Sequence, residues 1–452
     1  MRSGTQVTIV GAGLAGALLA VLLAQRGLRV RVFDRRADPR HTMAERGRSI
    51  NLVLAARGLR AIERAGLLPR IEPLLVKVSG RAIHDGPQAP TRLPYGQQGE
   101  YIHSVSRADL NCALIDAAAD TPGVELRFGQ QCLGVAPAYD TLLLRDAASG
   151  AGHAAALGPT IATDGAGSAV RHSLAAGGLI NVREERLEHD YKELTMPADA
   201  AAVLARDALH IWPRGGFMLM ALPNTDGSFT ATLFLAREGR QGFASLPDRS
   251  AVREFFNREF PTALPCLPNY LDEFAANPQG LLGTVHCDRW HHGGKLLLLG
   301  DAAHAIVPFH GQGMNCAFED CVELADLIDA GADWPEAFAG FERRRRPQAE
   351  AIALMALENY IEMRDTVRDP VFQRRKAWSL ELERRHPARF IPRYSMVMFH
   401  AEIPYDEALR RGAVQDQLLA ELDTGGGLDE ASLARADELI RMRLPPLSSR
   451  AG

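Results

Sequence analysis

Residues 7–34 read VTIVGAGLAGALLAVLLAQRGLRVRVFD, and the rest of the chain is organised around them. The β-branched run at the start predicts a buried strand, the apolar segment after the glycines predicts a helix, and RVRVF predicts a second strand that ends at Asp34. Gly11, Gly13 and Gly16 have the spacing GxGxxG. This order of strand, glycine turn, helix, strand and acid is typical of a Rossmann-type nucleotide site.

Each part of this stretch has a physical role. Gly11 permits a tight turn, Gly13 lets a pyrophosphate approach the backbone, and Gly16 allows helix and strand to pack closely. The N-terminus of the helix offers N–H groups to phosphate, and the Asp34 carboxylate can bind ribose hydroxyls. A signal peptide and a membrane helix are the alternatives, since residues 7–24 are almost entirely apolar. The glycine spacing and the second strand favour the nucleotide site.

The composition limits the class of protein. The 452 residues are 46% hydrophobic and 23% charged, which is typical of a globular protein with two or three packed regions. The net charge of −4 gives no electrostatic reason to expect nucleic-acid binding. The six cysteines have no metal-ligand spacing. We expect a cytoplasmic protein with no integral membrane segment, as a monomer or a homodimer.

Two later segments repeat the pattern in which a strand ends in an acid and glycine. They are ATDG at residues 162–165 and LGD at residues 299–301. Open α/β sheets bind ligands at the carboxyl ends of their strands, so Asp34, Asp164 and Asp301 are expected to converge on one extended cofactor. A short nicotinamide dehydrogenase needs only the first segment. Three segments favour a two-ended cofactor such as FAD.

The predicted fold is α/β with three regions. These are a discontinuous Rossmann-type FAD-binding domain at 1–75, 100–180 and 281–330, an inserted β-sheet substrate domain at 76–99 and 181–280, and a helical C-terminal region covering the active site at 331–452. The stretch from 181 to 280 is expected to be all β, because short apolar runs alternate there with turn residues.

The order of these motifs resembles that of the single-component FAD-dependent aromatic hydroxylases, the p-hydroxybenzoate hydroxylase class. Four further stretches make the resemblance more specific: RGRSINL at 46–52, PFHGQGMN at 308–315, LENY at 357–360 and FIPRYSM at 390–396. Within that class they resemble the bacterial kynurenine 3-monooxygenase family in particular. One departure is Ala162-Thr163 before Asp-Gly, where the class usually has glycine and a small residue.

The resemblance implies a monooxygenase that consumes NADPH and O2 and hydroxylates L-kynurenine to 3-hydroxykynurenine through a flavin hydroperoxide, in tryptophan degradation by the kynurenine pathway. NADPH would be a transient reductant, since the chain has only one full Rossmann fingerprint. Two alternatives stay open. One is a hydroxylase of the same class that acts on another aromatic carboxylic acid, and the other is a flavin- or NAD-binding protein without oxygenase activity.

The resemblance also assigns cofactor residues. Arg107 would contact the pyrophosphate and Asp301 the ribityl chain. The backbone that follows His310 would lie at a helix N-terminus under the isoalloxazine, where a positive dipole end stabilises the anionic reduced flavin. The full set of expected cofactor residues is Gly11, Gly13, Leu14, Ala15, Gly16, Asp34, Arg35, Arg36, Leu54, Arg107, Asp164, Asp301, Gly313, Met314 and Asn315.

The same resemblance makes Arg81, Tyr95, Asn359 and Tyr394 the substrate clamp. Kynurenine is an amino acid, and its carboxylate suits a bidentate arginine with phenol donors. Its ring would lie against residues that alternate along the strands of the β domain and that would otherwise be sheet core. They are Leu209, Met218, Met220, Leu222, Thr232 and Phe234.

Phe309 and His310 would border the space between substrate ring and flavin, with His310 in a packed or flavin-edge role rather than as a general base. His304 and His310 lie six residues apart with no nearby cysteine or paired acid. We therefore expect no metal site.

Overall fold

The computed structural model describes residues 5–41, 51–366, 369–423 and 429–447. Arg46–Ile50, part of the first stretch that carries the family resemblance, lies outside the described residues. The chain forms two compact units. Unit 1 comprises Met1–Val76, Ser104–Leu187 and Leu281–Ala353, and unit 2 comprises Lys77–His103, Glu188–Gly280 and Leu354–Gly452.

The strands of the described residues are β1 (Gln6–Val10), β2 (Arg29–Phe33), β3 (Asn51–Leu54), β4 (Val76–Val78), β5 (Gly80–Ile83), β6 (Thr91–Pro94), β7 (Ile102–Ser106), β8 (Val124–Arg127), β9 (Gln130–Val135), β10 (Thr141–Asp146), β11 (Gly152–Ala156), β12 (Thr160–Ala162), β13 (Val182–Met196), β14 (Ala208–Pro213), β15 (Met218–Pro223), β16 (Phe229–Ala236), β17 (Gly280–Cys287), β18 (His291–His292) and β19 (Leu296–Leu298).

The α-helices of the same residues are α1 (Leu14–Ala24), α2 (Ala56–Arg64), α3 (Leu68–Ile71), α4 (Arg107–Asp120), α5 (Ala169–Ala176), α6 (Arg249–Glu259), α7 (Tyr270–Ala276), α8 (Asp301–His304), α9 (Gly313–Asp329), α10 (Trp334–Arg364), α11 (Pro370–Arg385), α12 (Arg393–Phe399), α13 (Tyr405–Leu422) and α14 (Glu430–Arg443). None of them is both long enough and apolar enough to cross a membrane.

Unit 1 is built on a six-stranded sheet in the order β18-β19-β12-β1-β2-β8. β1 pairs in parallel with β2 and β12, and β12 pairs in parallel with β19. The apolar residues of the opening stretch, among them Val7, Ile9 and Leu18, are fully buried in its core. The predicted Rossmann-type arrangement is confirmed. The strands that precede Asp34, Asp164 and Asp301 therefore end at the same edge of the sheet.

Unit 2 contains most of a seven-stranded sheet in the order β17-β13-β16-β15-β14-β5-β6. One face of this sheet packs against α6, where Trp212, Leu219 and Leu233 share a hydrophobic cluster with Phe255 and Phe256. The helices α10 to α14 confirm the predicted helical C-terminal region. Their core contains Trp378, Leu382, Phe390, Leu418, Leu439 and Ile440.

The expectation that residues 181–280 are all β is wrong in part. They include α6 and α7 as well as the strands. Val252, Phe255 and Phe256 have helical spacing and are buried. Asp248 caps α6 by accepting hydrogen bonds from the backbone of Ser250 and Ala251. The division of the chain into three regions stays a prediction.

Candidate active site

The turn between β1 and α1 has the geometry that a pyrophosphate needs. Gly11 has φ of +100°, and a Cβ at this position would lie 2.6 Å from the carbonyl oxygen of Thr163. A Cβ on Gly16 would clash with the carbonyl oxygen of Gly11, so Gly16 serves the packing of helix on strand. At Gly13 a Cβ would have no described atom within 4 Å. Gly13 therefore borders open space at the N-terminus of α1.

Asp34 is fixed at the end of β2. Its carboxylate accepts hydrogen bonds from the backbone of Ala12 at 2.7 Å and of Arg36 at 2.8 Å, and the Arg36 guanidinium donates to both oxygens at 3.0 Å. Burial disfavours the charged form, but Arg36 and these N–H groups outweigh it and lower the pKa of Asp34. The ionised carboxylate is an acceptor for hydroxyl groups. Arg35 beside it is exposed.

The second strand end joins the first through Thr163. Its hydroxyl lies 3.0 and 2.8 Å from the carbonyl oxygens of Val10 and Gly11 and shares its one donor proton between them. The departure from the class pattern at this position thus has a local role, which is to tie β12 to the glycine turn. One oxygen of Asp164 accepts from the backbone of Ala169, and the other is buried without a partner among the described residues. Burial raises the pKa of Asp164.

The third strand end is held by a buried carboxylate. Gly300 has φ of +61° and ψ of −140°, and its N–H donates to Oδ2 of Asp320 at 3.2 Å. Asp320 also bonds to Nε2 of His304 and accepts from Nε of Arg345, both at 2.7 Å. Burial opposes its charge, but His304 and Arg345 lower the pKa of Asp320. The turn is therefore fixed, and the side chain of Asp301 after it is exposed.

The reason for expecting no metal at His304 is wrong, because the fold brings Cys316 and Asp320 beside it. The ligand atoms are engaged otherwise. Besides its bond to Asp320, the Arg345 guanidinium lies 3.4 Å from the Cys316 sulfur and 3.2 Å from a Glu319 oxygen. This cluster fits an ion-pair network that supports the Gly300 turn.

The side chain of Asn315 organises the start of α9. Its Oδ1 accepts from the backbone of Ala55 at 2.9 Å, and its Nδ2 donates to the carbonyl oxygens of Val53 and Gly311 at 2.8 and 2.7 Å. The sequence assigned only the backbone of Asn315 to the cofactor and missed this role. Leu54 is fully buried at the end of β3, and its expected contact with the cofactor stays a prediction.

The remaining predicted cofactor residues are at least partly exposed, so a ligand can contact them. Leu14, Ala15 and Gly313 are half-buried, Met314 is 9% exposed, and Arg107 is exposed as the first residue of α4. Together with the open space at Gly13 and the unsatisfied oxygen of Asp164, these positions at adjacent strand and helix ends fit a bent dinucleotide such as FAD. Their individual contacts stay predictions.

Phe309 and His310 also belong to unit 1. They lie in the short 3-10 turn Pro308–His310 that precedes α9, and both are buried. Their expected position between substrate ring and flavin stays a prediction.

In unit 2, one guanidinium and two phenols form a cluster. The Cζ of Arg81 lies 5.7 Å from the ring centre of Tyr95 and 5.1 Å from that of Tyr394. The two rings stack with centroids 5.5 Å apart and an interplanar angle of 14°. Arg81 comes from β5, Tyr95 follows β6 and Tyr394 comes from α12. Three of the four predicted clamp residues are thus brought together.

This cluster has unsatisfied polar atoms. Nε of Arg81 and the phenol oxygen of Tyr95 are buried, and neither has a hydrogen-bond partner among the described residues. Burial opposes the charge of Arg81, but Tyr394 and Glu362 hold its pKa above the ordinary value. Burial raises the pKa of both tyrosines, which stay neutral. Unpartnered buried donors are costly, so the cluster is suited to an anionic ligand with two acceptor oxygens.

Sequence reasoning missed two charged residues here. Glu362 accepts a hydrogen bond from Nη1 of Arg81 at 2.9 Å. Nζ of Lys376 lies 5.5 Å from the ring centre of Tyr394. Burial and the charge of Arg81 lower the pKa of Lys376 to about 8. Glu362 could have been found, because it lies one helical turn after the predicted Asn359. Nothing in the sequence marks Lys376.

Asn359 lies on α10 and is buried, with Nδ2 3.3 Å from the sulfur of Met363. It shares the helix with Glu362. Its expected contact with the substrate stays a prediction.

The predicted apolar set shares one face of the unit 2 sheet with Arg81. Arg81 is in register with Leu209. Further along the same face, Ile211 pairs with Met220, Met220 with Thr232, and Met218 with Phe234. Among the described residues of unit 2, the hydrophobic cluster that packs against α6 contains none of the six residues predicted to line the substrate ring. These six are Leu209, Met218, Met220, Leu222, Thr232 and Phe234. Their face is distinct from the packed core.

Comparison with known proteins agrees with this architecture. Residues 4–354 match the family described as FAD binding domain. The chain is 43% identical to the kynurenine 3-monooxygenase of Stenotrophomonas maltophilia, over 99% of this chain and 98% of that protein. It is 44% identical to the kynurenine 3-monooxygenase of Myxococcus xanthus, over 97% of this chain and 96% of that protein.

Solved structures show the same fold. The tetrameric form of 2-methyl-3-hydroxypyridine-5-carboxylic acid oxygenase has a TM-score of 0.66 at 22% identity, covering 80% of this chain and 93% of that chain. P. aeruginosa PqsL in complex with 2-aminobenzoylacetate has a TM-score of 0.64 at 22% identity, covering 80% of this chain and 97% of that chain. With these findings the chain belongs to the kynurenine 3-monooxygenase family and carries its FAD binding domain.

Proposed function

We propose that the protein hydroxylates L-kynurenine on the ring carbon ortho to the aromatic amine. L-kynurenine, NADPH, a proton and O2 give 3-hydroxykynurenine, NADP+ and water. The observation that carries the proposal is the Arg81 cluster of unit 2, a buried cation with an unsatisfied Nε beside the unsatisfied phenol of Tyr95. An α-amino acid with an aromatic side chain offers the carboxylate that these donors lack.

The clamp would bind both the α-carboxylate and the α-ammonium group of the substrate. Arg81 and Tyr95 donate to the α-carboxylate, and Tyr394 stacks against them. Glu362 accepts from Arg81 and keeps a partly exposed carboxylate, so it can accept from the α-ammonium group. The amide of Asn359, one helical turn away, is the further polar contact that the family resemblance assigns. This arrangement recognises a zwitterion rather than a simple aromatic acid.

The aromatic ring of the substrate would lie on the apolar face that Arg81 shares. Met218, Met220 and Phe234 provide a surface without charges, next to the hydroxyl of Thr232. Such a surface excludes water, and exclusion of water protects reactive oxygen species from unproductive decay. The aromatic amine of kynurenine already directs electron density to the ortho carbon, so the protein needs no strong base.

The residues of unit 1 would hold FAD. Gly13 and the first turn of α1 bind the pyrophosphate, Asp34 binds the adenosine ribose, and Asp301 binds the ribityl chain. When bound, FAD takes up two electrons from NADPH and activates O2 for transfer of one oxygen atom. The N-terminus of α9, held in place by Asn315, provides a positive dipole end for negative charge on the reduced ring.

The test is the rate of NADPH oxidation by the purified holoenzyme with and without L-kynurenine, with 3-hydroxykynurenine measured as product. We expect stimulation by kynurenine and about one product molecule for each NADPH oxidised. Flavin-containing protein that responds instead to a different aromatic carboxylic acid would reassign the substrate. Flavin-containing protein whose rate of NADPH oxidation is changed by no aromatic substrate would refute the clamp as the substrate site.

A further inference from the structure

We propose that Lys376 is a specificity-determining residue, which binds the α-carboxylate of the substrate together with Arg81. This inference rests on the proposed function, because it names a new contact for the same amino acid. Lys376 lies on α11, whereas the clamp residues predicted from the sequence lie on other elements.

Lys376 and Arg81 face the same aromatic ring. Nζ of Lys376 lies 5.5 Å from the ring centre of Tyr394, and Cζ of Arg81 lies 5.1 Å from it. Both cations therefore lie beside the ring of one phenol, and the charge of Arg81 is felt at Lys376, where it helps to lower the pKa. A single carboxylate can receive hydrogen bonds from an ammonium and a guanidinium at the same time, since it has two oxygens and about four lone-pair sites.

Lys376 has no counter-ion of its own among the described residues. Glu362 is the carboxylate that influences Lys376, but its hydrogen bond goes to Arg81. Within the described part of the chain, no carboxylate lies within ion-pair distance of Lys376. Lys376 is thus left without an acid of its own, and the carboxylate of a ligand would supply one.

The neighbouring cations of α11 behave differently. Arg374 and Arg375 both form ion pairs with Asp423, at 2.6 and 2.8 Å. Lys376 is half-buried and makes no such pair within the described residues. A half-buried cation next to a second cation is electrostatically unfavourable unless a ligand compensates it. This contrast on one helix points to a ligand rather than to a structural partner.

This arrangement of charges would favour binding of amino acids over amines that lack a carboxylate. The carboxylate would lie between Lys376 and Arg81, and the ammonium group would lie near Glu362. An aromatic amine that lacks the carboxylate would meet only like charge at Lys376, so Lys376 would select against it.

The experiment compares two ligands and three variants of the holoenzyme. The ligands are L-kynurenine and kynuramine, the analogue that lacks the α-carboxylate. The variants are Lys376→Met, Lys376→Arg and, as a matched control on the same helix, Arg375→Met. Binding is followed by the change in flavin absorbance in the absence of NADPH, and each variant is first checked for FAD content and thermal midpoint.

We expect Lys376→Met to raise the Kd of kynurenine about tenfold or more, because the change removes a partly desolvated contact between two charges. The Kd of kynuramine should stay unchanged or fall. Lys376→Arg should restore kynurenine binding to within about threefold, and Arg375→Met should change neither ligand.

If Lys376→Met raised the Kd of both ligands equally, or left the Kd of kynurenine unchanged, the inference would be overturned. These outcomes are distinct from failure of the proposed function, in which wild-type protein would neither bind kynurenine nor form 3-hydroxykynurenine. That result would overturn both proposals.

Discussion

Nη1 of Arg81 donates a 2.9 Å hydrogen bond to Oε1 of Glu362, while Nε of the same guanidinium is buried without a partner in the described residues. The arginine is thus charged, fixed in position and only partly satisfied. Its side chain is 3% exposed, whereas that of Glu362 is 26% exposed. The pair therefore combines a cation that needs an acceptor with a carboxylate that can reach a ligand.

Arg81→Ala should raise the KM for kynurenine about 100-fold and leave the FAD content unchanged. The change removes a buried charge-assisted donor, whose loss costs about 2–5 kcal/mol of binding free energy. Steady-state kinetics and the ratio of flavin to protein absorbance measure the two effects. Arg81→Lys should recover only part of the loss, because a lysine lacks the planar fork of donors. Loss of flavin from Arg81→Ala would instead assign Arg81 a structural role.

Gly13→Val and Gly16→Ala should separate cofactor binding from folding. The space beyond Gly13 is free of described atoms, so Gly13→Val should fold with a wild-type thermal midpoint as apoprotein and then fail to bind FAD. Gly16→Ala should lower the thermal midpoint even without cofactor, since its Cβ would clash with the carbonyl oxygen of Gly11. A yellow, fully loaded Gly13→Val protein would remove the pyrophosphate assignment.

Asn315→Ala should destabilise the start of α9. The change removes three hydrogen bonds, one of them buried and two partly buried, that join the end of β3 and the Gly311 turn to the helix, at a cost of about 3 kcal/mol. We expect a lower thermal midpoint and faster loss of FAD, measured by the release of flavin fluorescence on heating. The matched control is Asn111→Ala, which removes a single bond to the carbonyl oxygen of Ala12. An equal effect of the two changes would show that Asn315 has no special role.

His84 should make unit 2 less stable in mild acid. Its ring is stacked on Trp212 at 4.1 Å and hydrogen-bonded to His210 at 2.8 Å, and burial, reinforced by His210 and Arg214, lowers its pKa from 6.5 to about 4. Between these values the unfolded chain binds more protons, so this stability is present above pH 6.5 and is lost as the pH falls toward 4.

Because of the lowered pKa of His84, the free energy of unfolding should fall by about 2 kcal/mol between pH 7 and pH 5. Urea denaturation of wild type and His84→Gln at the two pH values checks it, and the variant should show a smaller difference. His153→Gln, at an exposed position, is the control. The same pH difference in wild type and His84→Gln would mean that other groups cause it.

Local patterns predicted much of unit 1. The glycine spacing and the β-branched run gave β1, α1 and β2, because each signal is contained in a few adjacent residues. The N-cap of α4 is a local signal of the same kind, since the hydroxyl of Ser106 accepts from the backbone of Asp109. The strand ends carrying Asp164 and Asp301 were found by the same reasoning.

What the sequence did not reveal depends on contacts between distant segments. Asp320 lies 20 residues from Gly300 and 25 from Arg345, and only the fold joins them. Lys376 and Arg81 are almost 300 positions apart in the chain. Neither belongs to a motif with the other, so no spacing could have placed both beside Tyr394. The helix α6 was missed for a different reason, since its apolar residues lie between strands and short apolar runs do not distinguish a helix from a strand.

In the proposed reaction this protein places one atom of O2 on kynurenine. The most direct measurement is turnover of the holoenzyme with NADPH and L-kynurenine under 18O2, followed by mass spectrometry of the product. We expect 3-hydroxykynurenine that carries one 18O atom, formed in proportion to the NADPH consumed. Unchanged kynurenine with NADPH consumption independent of its presence would contradict it.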